Sequence, residues 1–197
     1  MARGDCQKVF AAAAAEDGIV LTGQSFPWLC QQGHVALPDS ASAARAALAK
    51  IYNALGGDLE LLSTARSTRL TGDFVHEPTA TLLEVDEHQH FTSARLLTLD
   101  LYPTDVPLGF DLDAYKALCR RWRGQADRAF AHRDARGFGV RGRQRQRAYY
   151  DALRDLATPA MGRPPLIRIE APHDNGRAAY KQHRQRLLAA LRPGPGA

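Results

Sequence analysis

The stretch TGDFVHEPTATLLEVDEHQHF, residues 71–91, constrains the fold of this chain more than any other. Two short apolar runs flank HEPTA, where Pro78 suits a bend and is excluded from a central strand. The pattern predicts a β-hairpin. With Pro78-Thr79 as its loop, Glu77 faces Ala80, Val75 faces Leu82 and Asp73 faces Glu84. A loop longer or shorter by two residues keeps the same parity. Opposed residues share one face with Cβ atoms about 4.5–5.5 Å apart. Alternation along the strand adds Asp86 to that face and sends Leu83 and Val85 to the other. Two acids set against each other repel. A solvated sheet face is the plain account of them. Otherwise a shared proton, a neighbouring arginine such as Arg69, or a divalent cation must offset the repulsion. The cation is the option with chemical purpose. Mg²⁺ takes carboxylate and carbonyl oxygens, keeps several waters and pairs with phosphate substrates. It also lowers the pKa of an attacking water.

The rest of the chain arranges helices around this hairpin. Residues 41–55 read as a helix with Asp39 or Ser40 as cap, an apolar stripe of Leu48, Ile51, Tyr52 and Leu55, and Gly56-Gly57 as its stop. Further strands are expected over residues 59–64 and in PPLIRIEA. Helices are expected over residues 92–101, 112–132 and 143–156, through Tyr180, Leu187, Leu188 and Leu191, and in the alanine-rich N-terminal segment. The order is helix, three strands, helices, strand, helix, which predicts an α/β (α+β) fold with a small mixed sheet flanked by helices. One domain is expected over residues 1–192, with its core at 41–102 and 142–192, a basic helical insertion at 103–141 and a disordered tail at 193–197. PWLCQQGH receives no role, since Trp28 and Leu29 read as core.

No apolar run approaches the roughly 18–20 residues that cross a bilayer. The N-terminal alanine run, closed by Glu16 and Asp17, lacks the core of a signal peptide. The chain is therefore expected in the cytoplasm, away from membranes. Cys6, Cys30 and Cys119 fit neither a disulfide framework nor a zinc knuckle. The net charge is +5, and its distribution matters more than its size: residues 120–147 carry ten arginines against two aspartates. Such clustering suits phosphate contacts, although a solvated helix face has the same pattern. Arg120, Arg121, Arg123, Arg141, Arg143, Arg147 and Arg154 are the candidate nucleic-acid contacts, and Arg143, Arg147 and Arg154 are near the spacing of one helix face. His88 and His90 lack a third histidine or cysteine for zinc, and suit a proton shuttle or a phosphate contact better.

GDF followed by LLEVDEHQHF resembles the core of the PD-(D/E)XK nuclease superfamily, nearest the branch of very-short-patch-repair-like endonucleases, which often carry an E-x-D-G-x-x-H signature. The similarity covers residues 41–90 and extends to PPLIRIEAPHDNGRAAYKQHRQRLLAAL. It implies a restriction-endonuclease-like αβββαβ core and hydrolysis of phosphodiester bonds, in DNA, with Mg²⁺ or Mn²⁺. It makes Asp73 the metal-binding aspartate, Glu84 the acid on the next strand, and the backbone carbonyl of Val85 a further metal ligand. Asp86 stands where the superfamily's lysine usually stands, as a support for the metal. Gln89 and His90 match the later polar pair of relatives that lack that lysine, and one of them would orient the water. Two departures matter. Glu87 replaces a glycine that often follows the second acid, and residues 41–52 lack the acid of the first core helix, with Asp58 just past its end. They frame the alternative, a catalytically inactive nuclease-fold protein of a mobile element or defence system that binds nucleic acid or, through its basic segment, an acidic protein partner. A homodimer is compatible with either.

Overall fold

The computed structural model describes residues 5–192. Three strands, β1 (Thr22–Cys30), β2 (Arg69–His76) and β3 (Thr81–Glu87), run antiparallel in succession, and β4 (Ile167–Ala171) lies parallel to β3. The helices are α1 (Asp5–Ala15), α2 (Ser42–Ala54), α3 (Leu59–Ser63), α4 (Ser93–Leu99), α5 (Leu112–Ala126), α6 (Arg143–Ala160) and α7 (Gly176–Ala190). This is an α+β fold in which a small mixed sheet is covered by helices on both faces.

The hairpin has the register read from the sequence, with Phe74 opposite Leu83, Val75 opposite Leu82 and His76 opposite Thr81. Its loop, residues 77–80, is two residues longer than the shortest version. It is closed by Ala80 in the left-handed conformation at φ 54°. A two-residue extension leaves the parity intact, so Asp73 and Glu84 still come together.

Other expectations are corrected. Residues 59–64 form α3 and not a strand, because the Asp58 carboxylate accepts the Leu61 N–H and starts a helical turn. The missing strand is β1, in which Gly23 and Pro27 argue against strand structure. Pro27 is tolerated because β1 is an edge strand and is bulged: Ser25 opposes Thr71, yet Cys30 opposes Arg69. The sheet core therefore includes α1 and β1, and α2 and α3 are inserted between β1 and β2. Within the 103–141 segment, Tyr115 and Cys119 of α5 are fully buried in the main core. α5 stops at Ala126, and α6 runs on to Ala160. Asp39 and Ser40 lie in a 3-10 turn and do not cap α2. The expected tail at 193–197 lies outside the described residues. Cys6, Cys30 and Cys119 are free and buried, and no described helix is long and apolar enough to cross a membrane.

Strand alternation divides the interior. Leu83 and Val85 pack with Ile167, Ile169, Phe10 and Tyr180 beneath α1 and α7. On the opposite face α2, α4, α5 and α6 gather Leu48, Tyr52, Leu99, Tyr115, Tyr149 and Leu153. The α1–α7 contact depends on Gly176, where a Cβ would stand 2.0 Å from the Cys6 carbonyl oxygen and 2.6 Å from the Phe10 nitrogen. Gly176→Ala is expected to cost about 1–3 kcal/mol by overpacking. At about 2–4 °C per kcal/mol, a thermal melt measures the loss directly. An unchanged melting temperature would show that the two helices part without cost.

Candidate active site

β2 and β3 pair from His76 and Thr81, next to the loop, as far as Phe74 and Leu83, and beyond that point the strands part. Asp73 and Glu84 stand at this fork and take over the broken ladder. The Asp73 N–H donates to Glu84 Oε1 (3.2 Å), and the Val85 N–H donates to Asp73 Oδ2 (2.8 Å). The acids sit within strands because they satisfy amides that the departing strand would otherwise leave unpaired. The N–H and C=O of one strand residue point to the same edge, so the Val85 carbonyl also faces the fork.

The fork opens into a cleft of about 650 Å³ with Asp73 and Glu84 on its floor. One wall is a single stripe of α6, made by Arg143, Arg147, Tyr150, Asp151 and Arg154, residues three and four apart. Gln7 and Lys8 of α1 and Arg69 of β2 also line the cleft. Gln89 and His90, just past β3, line the cleft as well.

A fully buried ionic cluster lies behind the floor. Arg168 of β4 donates from Nε to Asp155 (2.8 Å) and from Nη1 to both Asp86 oxygens (2.9 Å each). Arg95 of α4 donates to Asp155 (2.5 Å), and the hydroxyls of Tyr102 and Tyr115 donate to Asp155 (2.6 Å) and Asp86 (2.8 Å). Nearer the cleft, His90 Nδ1 lies 3.1 Å from Asp151 Oδ2 and 3.3 Å from Asp86 Oδ1. Arg154 Nε lies 3.4 Å from Glu84 Oε1.

Three guanidiniums, those of Arg95, Arg154 and Arg168, meet the five carboxylates of Asp73, Glu84, Asp86, Asp151 and Asp155. Burial, reinforced by Asp86 and Asp151, pushes Asp73 up to about 6 against the pull of the Val85 amide. Burial pushes Glu84 up to about 8, with Arg154 opposing it and Asp73 adding to it. Asp151 shows the contrary balance: burial raises it, but His90 and Arg168 prevail and hold it below the carboxylate range.

Four of the residues singled out in the sequence, Asp73, Glu84, Gln89 and His90, thus share the cleft. Asp86 leaves the candidate catalytic set. It is fully buried, does not line the cleft, and gives its carboxylate to Arg168 and Tyr115. Gln89 donates its side-chain amide to Glu87 (2.7 Å). His88 pairs with Asp174 (2.8 Å), so the two histidines serve different carboxylates. Among the arginines, Arg143, Arg147 and Arg154 line the cleft. Arg120 and Arg123 are exposed on α5, Arg121 lines a separate groove against α7, and Arg141 is exposed ahead of α6. Arg154 Nε stands at an ion-pair distance from Glu84, and Arg69 lines the same cleft. Gln7, Lys8 and Asp151 had no place in the sequence reading. Asp151 was within reach of it, four residues after Arg147 and three before Arg154. Gln7 and Lys8 had no such signal, because the position of α1 is tertiary.

Among the described residues, no three His, Cys, Asp or Glu side chains are grouped to hold a metal ion. The donors present at the fork are oxygens: Asp73, Glu84, the Val85 carbonyl and, elsewhere in the cleft lining, Gln7 Oε1, a buried atom without a hydrogen-bond partner. Such a set fits a hard cation that keeps its waters, and does not fit zinc.

Fold and cleft together define an α+β protein with an acidic floor under arginine-bearing walls. The chain belongs to a family of unknown function, DUF7255, whose profile matches residues 50–189. No curated protein and no solved structure matches it.

Proposed function

We propose that the protein is a divalent-cation-dependent nuclease, a hydrolase of phosphodiester bonds in DNA that acts in the cytoplasm. One observation carries the reading: a cleft walled by Arg143, Arg147 and Arg154 has on its floor two adjacent buried carboxyl groups, Asp73 and Glu84, both raised by burial. A polyanionic substrate answers the walls and a cation answers the floor. The order α1-β1-β2-β3, then α6-β4, supports membership of the PD-(D/E)XK superfamily in its very-short-patch-repair-like branch. In that reading α1 is the first core helix and presents Gln7, in place of an acid, to the cleft.

Mg²⁺ or Mn²⁺ would be held by Asp73, Glu84, the Val85 carbonyl and Gln7 Oε1. When bound, the cation polarises a phosphoryl oxygen and lowers the pKa of water. Asp151 fixes His90 through Nδ1 and so orients the ring at the wall, where it moves a proton or positions water. Arg69, Arg143 and Arg147 grip the substrate backbone, an interaction that weakens with salt.

Labelled single-stranded, duplex, nicked, mismatched and branched DNAs, incubated in Mg²⁺, Mn²⁺ and EDTA, test the proposal. Cutting is expected with either metal and not in EDTA, with a loss of about 10³-fold in Asp73→Ala and in Glu84→Ala. Each acid already commits an oxygen to a backbone amide, and that favours one alternative, an inactive nuclease-fold protein that binds nucleic acid. Binding without cutting in any metal would select it. Neither binding nor cutting would direct the search to a protein partner.

A further inference from the structure

Arg154 is unlike the other arginines of the cleft. It is only 8% exposed, whereas Arg143 and Arg147 are half-buried and Arg69 is exposed. Its Nη1 donates to the Tyr150 carbonyl (3.2 Å), one turn earlier on α6, and its Nη2 donates to the Thr71 carbonyl on β2 (2.9 Å). These two bonds, to different elements, fix the guanidinium between helix and sheet. Nε is buried and makes no hydrogen bond, although Glu84 Oε1 stands 3.4 Å away at an ion-pair distance. Buried N–H groups are almost always paired. Arg154 also lines the cleft, and a fixed guanidinium with donor capacity left over is a place for an anion.

Building on the nuclease reading, we infer that Arg154 is a catalytic residue that binds the single phosphate group undergoing cleavage, while the other arginines of the cleft hold its neighbours. In that step the oxygen of water bonds to phosphorus and the P–O bond to the departing sugar oxygen breaks. Water gives up one proton and the departing oxygen takes one, leaving a phosphomonoester and an alcohol. Negative charge grows on the non-bridging oxygens as the bond forms. A guanidinium already held in place stabilises that charge without reorganising. The planar fork of arginine suits two phosphate oxygens better than a lysine ammonium does. Glu84 and Asp73 repel a phosphate at this position until a cation sits on them. The subsite therefore fills after the metal and not before.

The test uses the whole protein and two measurements. The first is kcat and KM on whichever DNA the wild type cuts. The second is binding of inorganic phosphate by calorimetry, in Mg²⁺ and in EDTA. Phosphate is expected to bind in Mg²⁺ and to weaken at least tenfold in EDTA. Arg154→Gln should lose phosphate binding and lower kcat by about 10²–10³-fold, with KM nearly unchanged. The double variant Arg143→Gln/Arg147→Gln should raise KM and flatten the salt dependence.

Wild-type kcat or wild-type phosphate affinity in Arg154→Gln would overturn the inference. If that variant fails to fold, Arg154→Lys decides, because it keeps the charge and lacks the Nε–H donor. Wild-type kcat in Arg154→Lys would overturn the inference equally. If no DNA is cut, the nuclease reading fails by itself, and phosphate calorimetry still judges the subsite.

Discussion

Arg168→Met is expected to destabilise the protein by about 3–5 kcal/mol, and to lower its melting temperature by roughly 10 °C or more. Arg168 is fully buried and is the shared partner of Asp86, Asp155 and the Asp151 carbonyl. Removing it leaves two buried carboxylates short of positive charge, in a place where water cannot replace the lost donors. The cost lies mainly in the stranded acids and not in the arginine. The double variant Arg168→Met/Asp86→Leu, which removes a charge of each sign, should therefore be more stable than Arg168→Met alone. Thermal and urea melts of both proteins check this. A single variant within 1 kcal/mol of wild type would show that the cluster is already solvated. A double variant less stable than the single would show that the cost is one of packing.

The second large effect is a dependence of stability on pH that a divalent cation reverses. Burial raises Asp73 to about 6 and Glu84 to about 8. The folded state then holds protons that the unfolded chain has released. The stabilisation is complete below the unfolded carboxylate range, and is lost as pH rises through about 6 and then about 8. Burial lowers His34 and His76, and their contribution runs the other way, growing as pH rises toward neutrality. The window from pH 7 to 8.5 therefore isolates Glu84. Without metal, about 1 kcal/mol should be lost across it, a fall of roughly 2–4 °C. Glu84→Gln should flatten this limb. Mg²⁺ at a hundred times its Kd should add about 2.7 kcal/mol, and one fixed Mg²⁺ concentration should add more at pH 8.5 than at pH 6 because it then displaces fewer protons. A melting temperature that holds steady or rises from pH 7 to 8.5 without metal would contradict the burial of Glu84. An identical response to Mg²⁺ in Asp73→Asn would take the cation away from the fork.

The hairpin was legible because its information is local. Pro78 places the bend, the apolar alternation sets the faces, and parity alone brings Asp73 opposite Glu84 whether the loop has two residues or four. The stripe of Arg143, Arg147 and Arg154 was legible for the same reason, since helical spacing puts these residues on one side of α6 wherever the helix packs. β1 was not legible. Its proline and its bulge are tolerated because it lies at an edge, and a strand's place in a sheet is not written in the strand. The run at 59–64 misled because a few apolar residues fit either period, and the choice was made by the Asp58 cap.

The site divides in the same way. The sequence by itself determined the facing acids, the helix that carries the arginines and the class of the fold, all of them consequences of periodicity over a few residues. Only the tertiary structure decided which charges neutralise one another. Asp86 and Glu84 lie two residues apart on one face of β3. Asp86 meets the buried Arg168 on the neighbouring strand and becomes part of the core, whereas Glu84 stands at the fork facing the cleft. Coulomb energy depends on distance and on the surrounding medium, and both were set by elements more than fifty residues away.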